Sequence, residues 1–406
     1  MNEVKSAGGY RWLIVFSVFA VCFSGSFSQF VLSVYGPQIM EKYNLNISQF
    51  GFVMMGAMLT GVFFSIAAGV AGDKAGVHKV VAIAGVISCL GCVLRYMGNS
   101  YTALLIGMIM LGFFPVFMAS NALKLFAAWF PPQQLGLCMG IFMAAGACGT
   151  SVASMVAASF GSLERAMLFC VFFVLAITIV WMLLVRNQPK GATPLPPVPV
   201  VQNLGKMFKL KNVWIIGIFL VAFMACNMSV ASYFATALQS SEFGGMAQAT
   251  SGVVVSLWTF GVLAGNIVGP ILFAKIGRNK PGGVIFTVAG GILLYVAWAM
   301  RADATICAVL LFLAGFCIGT VIPVIMAYPA LLPEVGPQYA GAAGGLYTTV
   351  QMLGASFIPS YVFAAVSGTD YSQLFLMAAV AGALIGVIAM ALPEMGSKAG
   401  KTERGA

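Results

Sequence analysis

Gln29, Asn227, Asn266 and Gln351 are carboxamides set in stretches otherwise made of aliphatic and aromatic residues. A carboxamide brings two N–H donors and an acceptor oxygen, and leaving it unpaired in an apolar medium costs roughly 2–7 kcal/mol. Each must therefore bond a neighbouring helix or meet a polar solute, and the sequence leaves both roles open. Tyr328 and Tyr347 add hydroxyls and Trp258 an apolar wall, with ordinary packing the competing role for all three. As a set, these residues fit a neutral polar cavity better than any of them does singly.

Lys124, three residues after Asn121, is the charged candidate. Facing a cavity, it would attract an anion. It lies about 15 Å from the middle of its apolar stretch at helical rise. From there a lysine stem reaches the membrane interface, the placement we expect of it. Arg95, at the end of the preceding stretch, is expected at the opposite interface for the same reason.

The acidic residues constrain energetics. All 10, Glu3, Glu41, Asp73, Glu164, Glu242, Asp303, Glu334, Asp370, Glu394 and Glu403, fall in loops, tails or the ends of apolar stretches. A carboxylate at mid-membrane is the usual proton relay of driven symport. Uniport or exchange is therefore expected, or movement of a proton together with an anion. His78, the single histidine, is read as part of a basic loop. Cys89 and Cys92 have the spacing of a redox or metal pair, yet with no second pair and one histidine a packing role is expected of the nine cysteines. No metal or cofactor is expected, and the absence of a histidine-paired nucleophile motif argues against an enzyme.

The elements that must position these groups follow from composition. The 406 residues are 61% hydrophobic and only 7% charged, and the charge is concentrated between apolar runs of membrane-spanning length. Flanking charges, glycines and prolines place twelve spans, near residues 12–35, 50–71, 79–97, 102–126, 135–160, 164–186, 212–238, 249–274, 281–300, 304–330, 339–364 and 372–392. The first apolar run is too long for a signal peptide and is read as the first span.

With both termini cytoplasmic, every Lys and Arg except Lys42, Arg95, Arg165 and Arg301 falls on the inner side. The net charge of +10 is thus a topology signal and a contact with anionic headgroups, not a nucleic-acid footprint. Residues 187–211, with Pro189, Pro194, Pro196, Pro197 and Pro199, read as a stiff cytoplasmic linker between bundles at 1–186 and 212–392, and 393–406 as a cytoplasmic tail. Internal symmetry supports the division. The loop Gly69 to Lys79, with Asp73, Lys74, Gly76 and His78, is echoed by Gly277-Arg278-Asn279-Lys280, and Pro131, Gly136 and Gly140 by Pro333, Gly341 and Gly345. Gly51, Gly56 and Gly61, and Gly261, Gly265 and Gly269, mark faces where helices approach closely.

The Gly69–Lys79 loop, Gly-x-x-x-Asp-x-x-Gly with basic residues following, resembles the signature loop of the major facilitator superfamily, at the expected place between spans two and three. With the twelve spans and central linker, the likeness covers essentially the whole chain. It implies an all-α membrane protein of two pseudo-symmetric six-helix bundles, moving a substrate by rocking around a central site. It further implies a gate at Gly69, Asp73, Lys74, Gly76, Lys79, Gly277 and Arg278, with Asp73 facing the start of span eleven near Pro337 to Gly341. Physically, a carboxylate at the negative end of a helix wants an external positive partner. Ala274 stands at the matching position of the second half, so the latch should be asymmetric.

A narrower likeness, Trp129-Phe130-Pro131 followed by Gly136, Gly140 and Ala144-Ala145-Gly146, is similar to oxalate:formate antiporter-like and monocarboxylate-type members. Gly25, Ser28-Gln29, Tyr35 and Pro37 add a weaker trace, and Gln29 falls near a substrate-facing aromatic of those carriers. Their basic residues in spans eight and eleven are missing here, which disfavours a dicarboxylate. Nitrate and nitrite porters also resemble the chain, but their paired arginines correspond to Ser65 and Asn266. The expected function is exchange or uniport of a small organic anion such as a monocarboxylate. The alternatives are export of lipophilic compounds, favoured by 24 Met and 32 Phe, and transport of nitrate or nitrite. Substrate and membrane lipid are the expected partners, with no nucleic acid. The chain is expected as a monomer in the plasma (cytoplasmic, inner) membrane.

Overall fold

A computed structural model describes residues 9–130, 132–188, 209–242, 245–326, 328, 332 and 336–394. Among them are twelve helices long and apolar enough to cross a membrane: α1 Tyr10–Tyr43, α2 Ile47–Gly72, α3 Val77–Met97, α4 Tyr101–Trp129, α5 Cys138–Phe160, α6 Leu163–Leu184, α7 Lys211–Gln239, α8 Gln248–Ile276, α9 Asn279–Ala299, α10 Ala304–Met326, α11 Thr349–Ser367 and α12 Tyr371–Ala389. Helices are the answer lipid imposes on such runs, because they satisfy every backbone polar group internally. Most of the linker and nearly all of the tail lie outside the described residues, as does the end of the tenth expected span beyond Tyr328.

The chain divides into two compact units, Met1–Leu45 with Phe52–Pro197, and Asn46–Gly51 with Val198–Ala406. In the first, α1 packs on α5, α6 and α4, and α3 on α4 and α6. In the second, α7 packs on α11, α12 and α8, α8 on α10, and α9 on α12 and α10. Ser100 and Ser162 cap α4 and α6 through their side chains, and Asp303 and Asp370 do the same for α10 and α12. Polar residues at these ends satisfy the amides that a helix start leaves open.

Three spans depart from regular helix. α1 is longer than expected and changes at Val31–Tyr35 from α to 3-10 geometry before resuming at Gly36. The helix of α4 is stepped at Gly112. There an added Cβ would stand 2.2 Å from the Ala57 carbonyl oxygen of α2, so glycine permits the approach. The helix of α11 starts at Gly336 and widens to π geometry over Ile358–Phe363, around Pro359, whose missing N–H breaks the regular ladder.

The glycine face of α8 meets α10 backbone to backbone. Cβ atoms at Gly261, Gly265 and Gly269 would stand 2.1, 2.3 and 2.2 Å from the carbonyl oxygens of Phe312, Phe316 and Thr320. Gly315 and Gly319 reciprocate against Trp258 and Val262. Small residues on both sides bring the two backbones into contact, the packing that lipid favours.

Candidate functional site

In the first unit the polar residues gather at two levels. The upper one surrounds the 3-10 step of α1. Gln29 is buried, and its Nε2 donates to the Met54 carbonyl of α2 at 2.8 Å. Beyond the step, the Tyr35 hydroxyl donates to the Ala157 carbonyl at the end of α5 at 2.7 Å. At the same level is Arg95, which sequence reasoning places at an interface and the structure buries, with 1% of its surface exposed. The reason is directional. Arg95 occupies the last turn of α3, and Cβ atoms lean toward the helix N-terminus, so its side chain runs back into the bundle instead of out of it.

The Arg95 Nη1 donates to the Ser28 carbonyl at 2.9 Å and to Met108 Sδ at 3.0 Å, and Nη2 to Cys92 Sγ at 3.5 Å. Ser28 sits in the last turn of the α-helical part of α1, where carbonyls carry the negative end of the helix dipole. That end partly offsets the buried charge. Arg95 Nε and Ser28 Oγ have no oxygen or nitrogen partner, and the Cys170 thiol of α6 meets both side chains as a weak hydrogen-bonding neighbour.

The lower level lies where α2 turns into α3. Asn121 is fully buried, and its Nδ2 donates to the carbonyls of Ala68 and Phe117, while its Oδ1 has no partner. A Cβ at Gly72 would fall 1.9 Å from that oxygen, so this glycine admits the amide. Lys124, half-buried, donates from Nζ to the Gly69 carbonyl at 2.9 Å. It thus attends the negative end of α2, as the dipole favours. Gly69 itself has open space where a Cβ would be. The Asp73 backbone continues the helix of α2; its side chain, and those at 337–341, lie outside the described residues.

Gly76 makes the corner with φ 86°, and Lys74 and Lys79 are exposed. His78, at the start of α3, donates its backbone N–H to Asn187 Oδ1 at 2.6 Å, and its carbonyl accepts from Trp181 Nε1 at 3.1 Å. Its ring Nε2 meets the Met182 carbonyl at 3.1 Å, so the ring too is committed to α6.

In the second unit, Trp258 is buried and its Nε1 donates to Asn227 Oδ1 at 2.8 Å, joining α8 to α7. Asn266, farther along α8, has a buried Oδ1 with no partner. Tyr347 and Gln351, both 8% exposed, are one helical turn apart on the same helix face. Tyr328 is 1% exposed and its hydroxyl accepts from Asn279 Nδ2 at 3.3 Å. Gly277, φ 76°, ends α8 as Gly76 ends α2, and Arg278 is exposed beside it. Glu394, after α12, is 5% exposed and takes the backbone N–H groups of Asn279 and Lys280 at 2.7 and 2.9 Å.

The structure therefore unites Gly69, Asn121 and Lys124, pairs Asn227 with Trp258, and sets Tyr328 on the α9 start. Asn266 stands apart from these pairs. The roles of Arg95, Ser28, Asn187 and Glu394 escape sequence reasoning. Only for Arg95 is a signal present, in the backward lean of helical side chains. Among the described residues, no three His, Cys, Asp or Glu are placed to hold a metal ion, and the nine cysteines are free thiols.

Twelve apolar helices in two units, with polar side chains turned inward and the loop ends basic, define an integral multi-pass membrane protein. The family model of the Major Facilitator Superfamily matches residues 16–359, and the chain belongs to that superfamily of transporters. A curated relative, a probable nitrate/nitrite antiporter NarK1 from Thermus thermophilus, is 24% identical over 396 residues, covering 86% of this chain and 85% of its own. Among solved structures, a bacterial homolog of the human lysosomal transporter Spinster, inward-facing and unoccupied, aligns with TM-score 0.69 at 13% identity over 95% of both chains. A point mutant of the nucleoside transporter NupG aligns with TM-score 0.72 at 16% identity over 93% of this chain and 99% of its own. At those identities the likeness carries the fold alone.

Proposed function

We propose that this transporter carries a small organic anion, such as a monocarboxylate, by exchange or uniport across the cytoplasmic membrane. The observation that carries the reading is the sign of the interior. Arg95 turns inward from the end of α3 and Lys124 toward α2. Among the described residues, the acidic groups within spans are Glu41 and Glu164, both exposed at helix ends, and no Asp or Glu stands deeper. Spans that turn Arg95 inward and, among the described residues, hold no deep acid favour anions over cations, and offer none of the mid-span carboxylates that proton-driven export of lipophilic cations employs. Within the first unit Gln29 and Asn121 carry neutral donors and acceptors near these cations, and within the second unit Asn227, Asn266, Tyr347 and Gln351 carry their own.

The relative named as a nitrate/nitrite antiporter moves an anion of the same charge and of planar shape, which supports the sign of the substrate. Asn266 stands where nitrate porters resembling this chain carry an arginine, which favours a carboxylate over nitrate.

Reconstituted protein should take up labelled formate or lactate, accelerated when the same anion is loaded on the far side. With the membrane potential clamped, the exchange should not respond to a pH gradient. Uptake confined to a lipophilic cation such as tetraphenylphosphonium would defeat the reading.

A further inference from the structure

Resting on that reading, we propose that the Nε–Nη2 edge of Arg95, together with the Ser28 hydroxyl, is the element that grips the planar oxyanion of the substrate. A guanidinium has five N–H donors in a fixed fork. Here they are poorly used. Nη1 is shared between a carbonyl and a thioether, Nη2 reaches the Cys92 thiol at 3.5 Å, and Nε has no oxygen or nitrogen partner, with the Cys170 thiol the other sulfur at the group. Sulfur is a weak acceptor, so the side of the fork formed by Nε and Nη2 is nearly unsatisfied. That side matches the two oxygens of a carboxylate or nitrate in a bidentate pair, the strong form of this interaction.

The Ser28 hydroxyl belongs to the residue whose carbonyl Arg95 holds. It too is buried with no oxygen or nitrogen partner, bonded at most to the weak Cys170 thiol. Donors met only by sulfur, beside a charge that the helix end only partly offsets, ask for the same thing, an anion with more than one oxygen. The guanidinium is 1% exposed in this conformation, so the anion reaches it when α1 moves. The joint for that motion adjoins it, the 3-10 step Val31–Tyr35. In the second unit Arg301, in the loop after α9, lies over the Trp298 ring at 4.6 Å and bonds the Trp298 carbonyl, at the edge of its bundle. The anion grip is thus a property of the first unit.

The test uses full-length protein in proteoliposomes, with labelled formate, lactate and nitrate as probes. Arg95→Lys keeps the charge and loses the fork; Ser28→Ala removes the hydroxyl. Arg95→Lys should raise KM about tenfold or more, the loss of one charge-assisted hydrogen bond, with a smaller change in maximal rate. Ser28→Ala should raise KM less, and should fold, because it deletes a hydroxyl bonded at most to a thiol. Formate and lactate moving while nitrate does not identifies a carboxylate, and the converse identifies nitrate. Wild-type protein that moves none of the three overturns the proposed function and the grip with it. Wild-type uptake with unchanged KM in both variants overturns the grip alone.

Discussion

Glu394 holds in the second unit the place that Asn187 holds in the first. Each follows the last helix of its unit and accepts backbone N–H from the first residues of the third, His78 for Asn187, and Asn279 and Lys280 for Glu394. A residue from outside the helix thus acts as its N-cap, and the carboxylate adds a favourable charge at the positive helix end.

Removing either cap should cost about 1–2 kcal/mol, as losing a side-chain cap does within one chain. Glu394→Ala and Asn187→Ala should lower the unfolding midpoint in detergent, whereas Asn187→Asp should hold or raise it. A midpoint unchanged in both alanine variants would show that the caps are replaced by water.

Gly69 and Gly265 separate a glycine kept for its surroundings from one kept for its contacts. Gly69→Ala should fold and stay in the membrane like the wild type, since open space surrounds the new methyl. Gly265→Ala places a methyl 2.3 Å from the Phe316 carbonyl oxygen and 2.9 Å from Thr320 N, both backbone. The helices must part, with a loss of about 1–3 kcal/mol. Size-exclusion profiles and thermal unfolding of the two variants read the difference.

Lys124 bonds a backbone carbonyl near the end of α2, one turn before Asp73. Lys124→Ala should lower the maximal transport rate and leave KM near the wild-type value, because the lost bond ties α4 to the end of α2 and lies away from Arg95. Asp73→Asn should act alike, with expression intact. A rise in KM with the maximal rate preserved would instead place Lys124 on the substrate.

Trp258 and Asn227 test whether the interior amides serve packing or substrate. Trp258→Phe keeps the ring and deletes the donor to Asn227 Oδ1. Interhelical bonds of this kind average about 0.6 kcal/mol, so stability should fall little. Altered selectivity among carboxylates of different length, measured by competition, is the expected readout. Unchanged selectivity would leave the pair a simple helix tie.

Hydrocarbon leaves helix as the answer for each apolar run, so the twelve spans are legible from residue type. The two corners are legible as well, because Gly76 and Gly277 stand where positive φ is required. What composition does not carry is direction and distant partnership. Arg95 reads as an interface residue from its place near a span end, and only the lean of its Cβ toward the helix start takes it inside. Glu394 reads as a solvated tail residue because its partners, Asn279 and Lys280, are remote in sequence. The 3-10 step of α1 is announced only from its far side, by Gly36-Pro37, whose proline lacks the N–H that would bond the Ser33 carbonyl; Val31–Tyr35 itself is apolar apart from Ser33 and the Tyr35 hydroxyl.

The Gly76 corner has a mechanical consequence. A single residue joins the helix ending at Ala75 to α3, and Asn187 is pinned to the first turn beyond it. A hinge needs slack, and there is none here. Tilting the lower end of α2 must carry α3 and the foot of α6 with it, so these helix ends behave as one stiff bracket. Distance probes at the lower ends of α3 and α6 would hold a constant spacing through the transport cycle, while a probe on the upper part of α1, beyond its 3-10 step, would not.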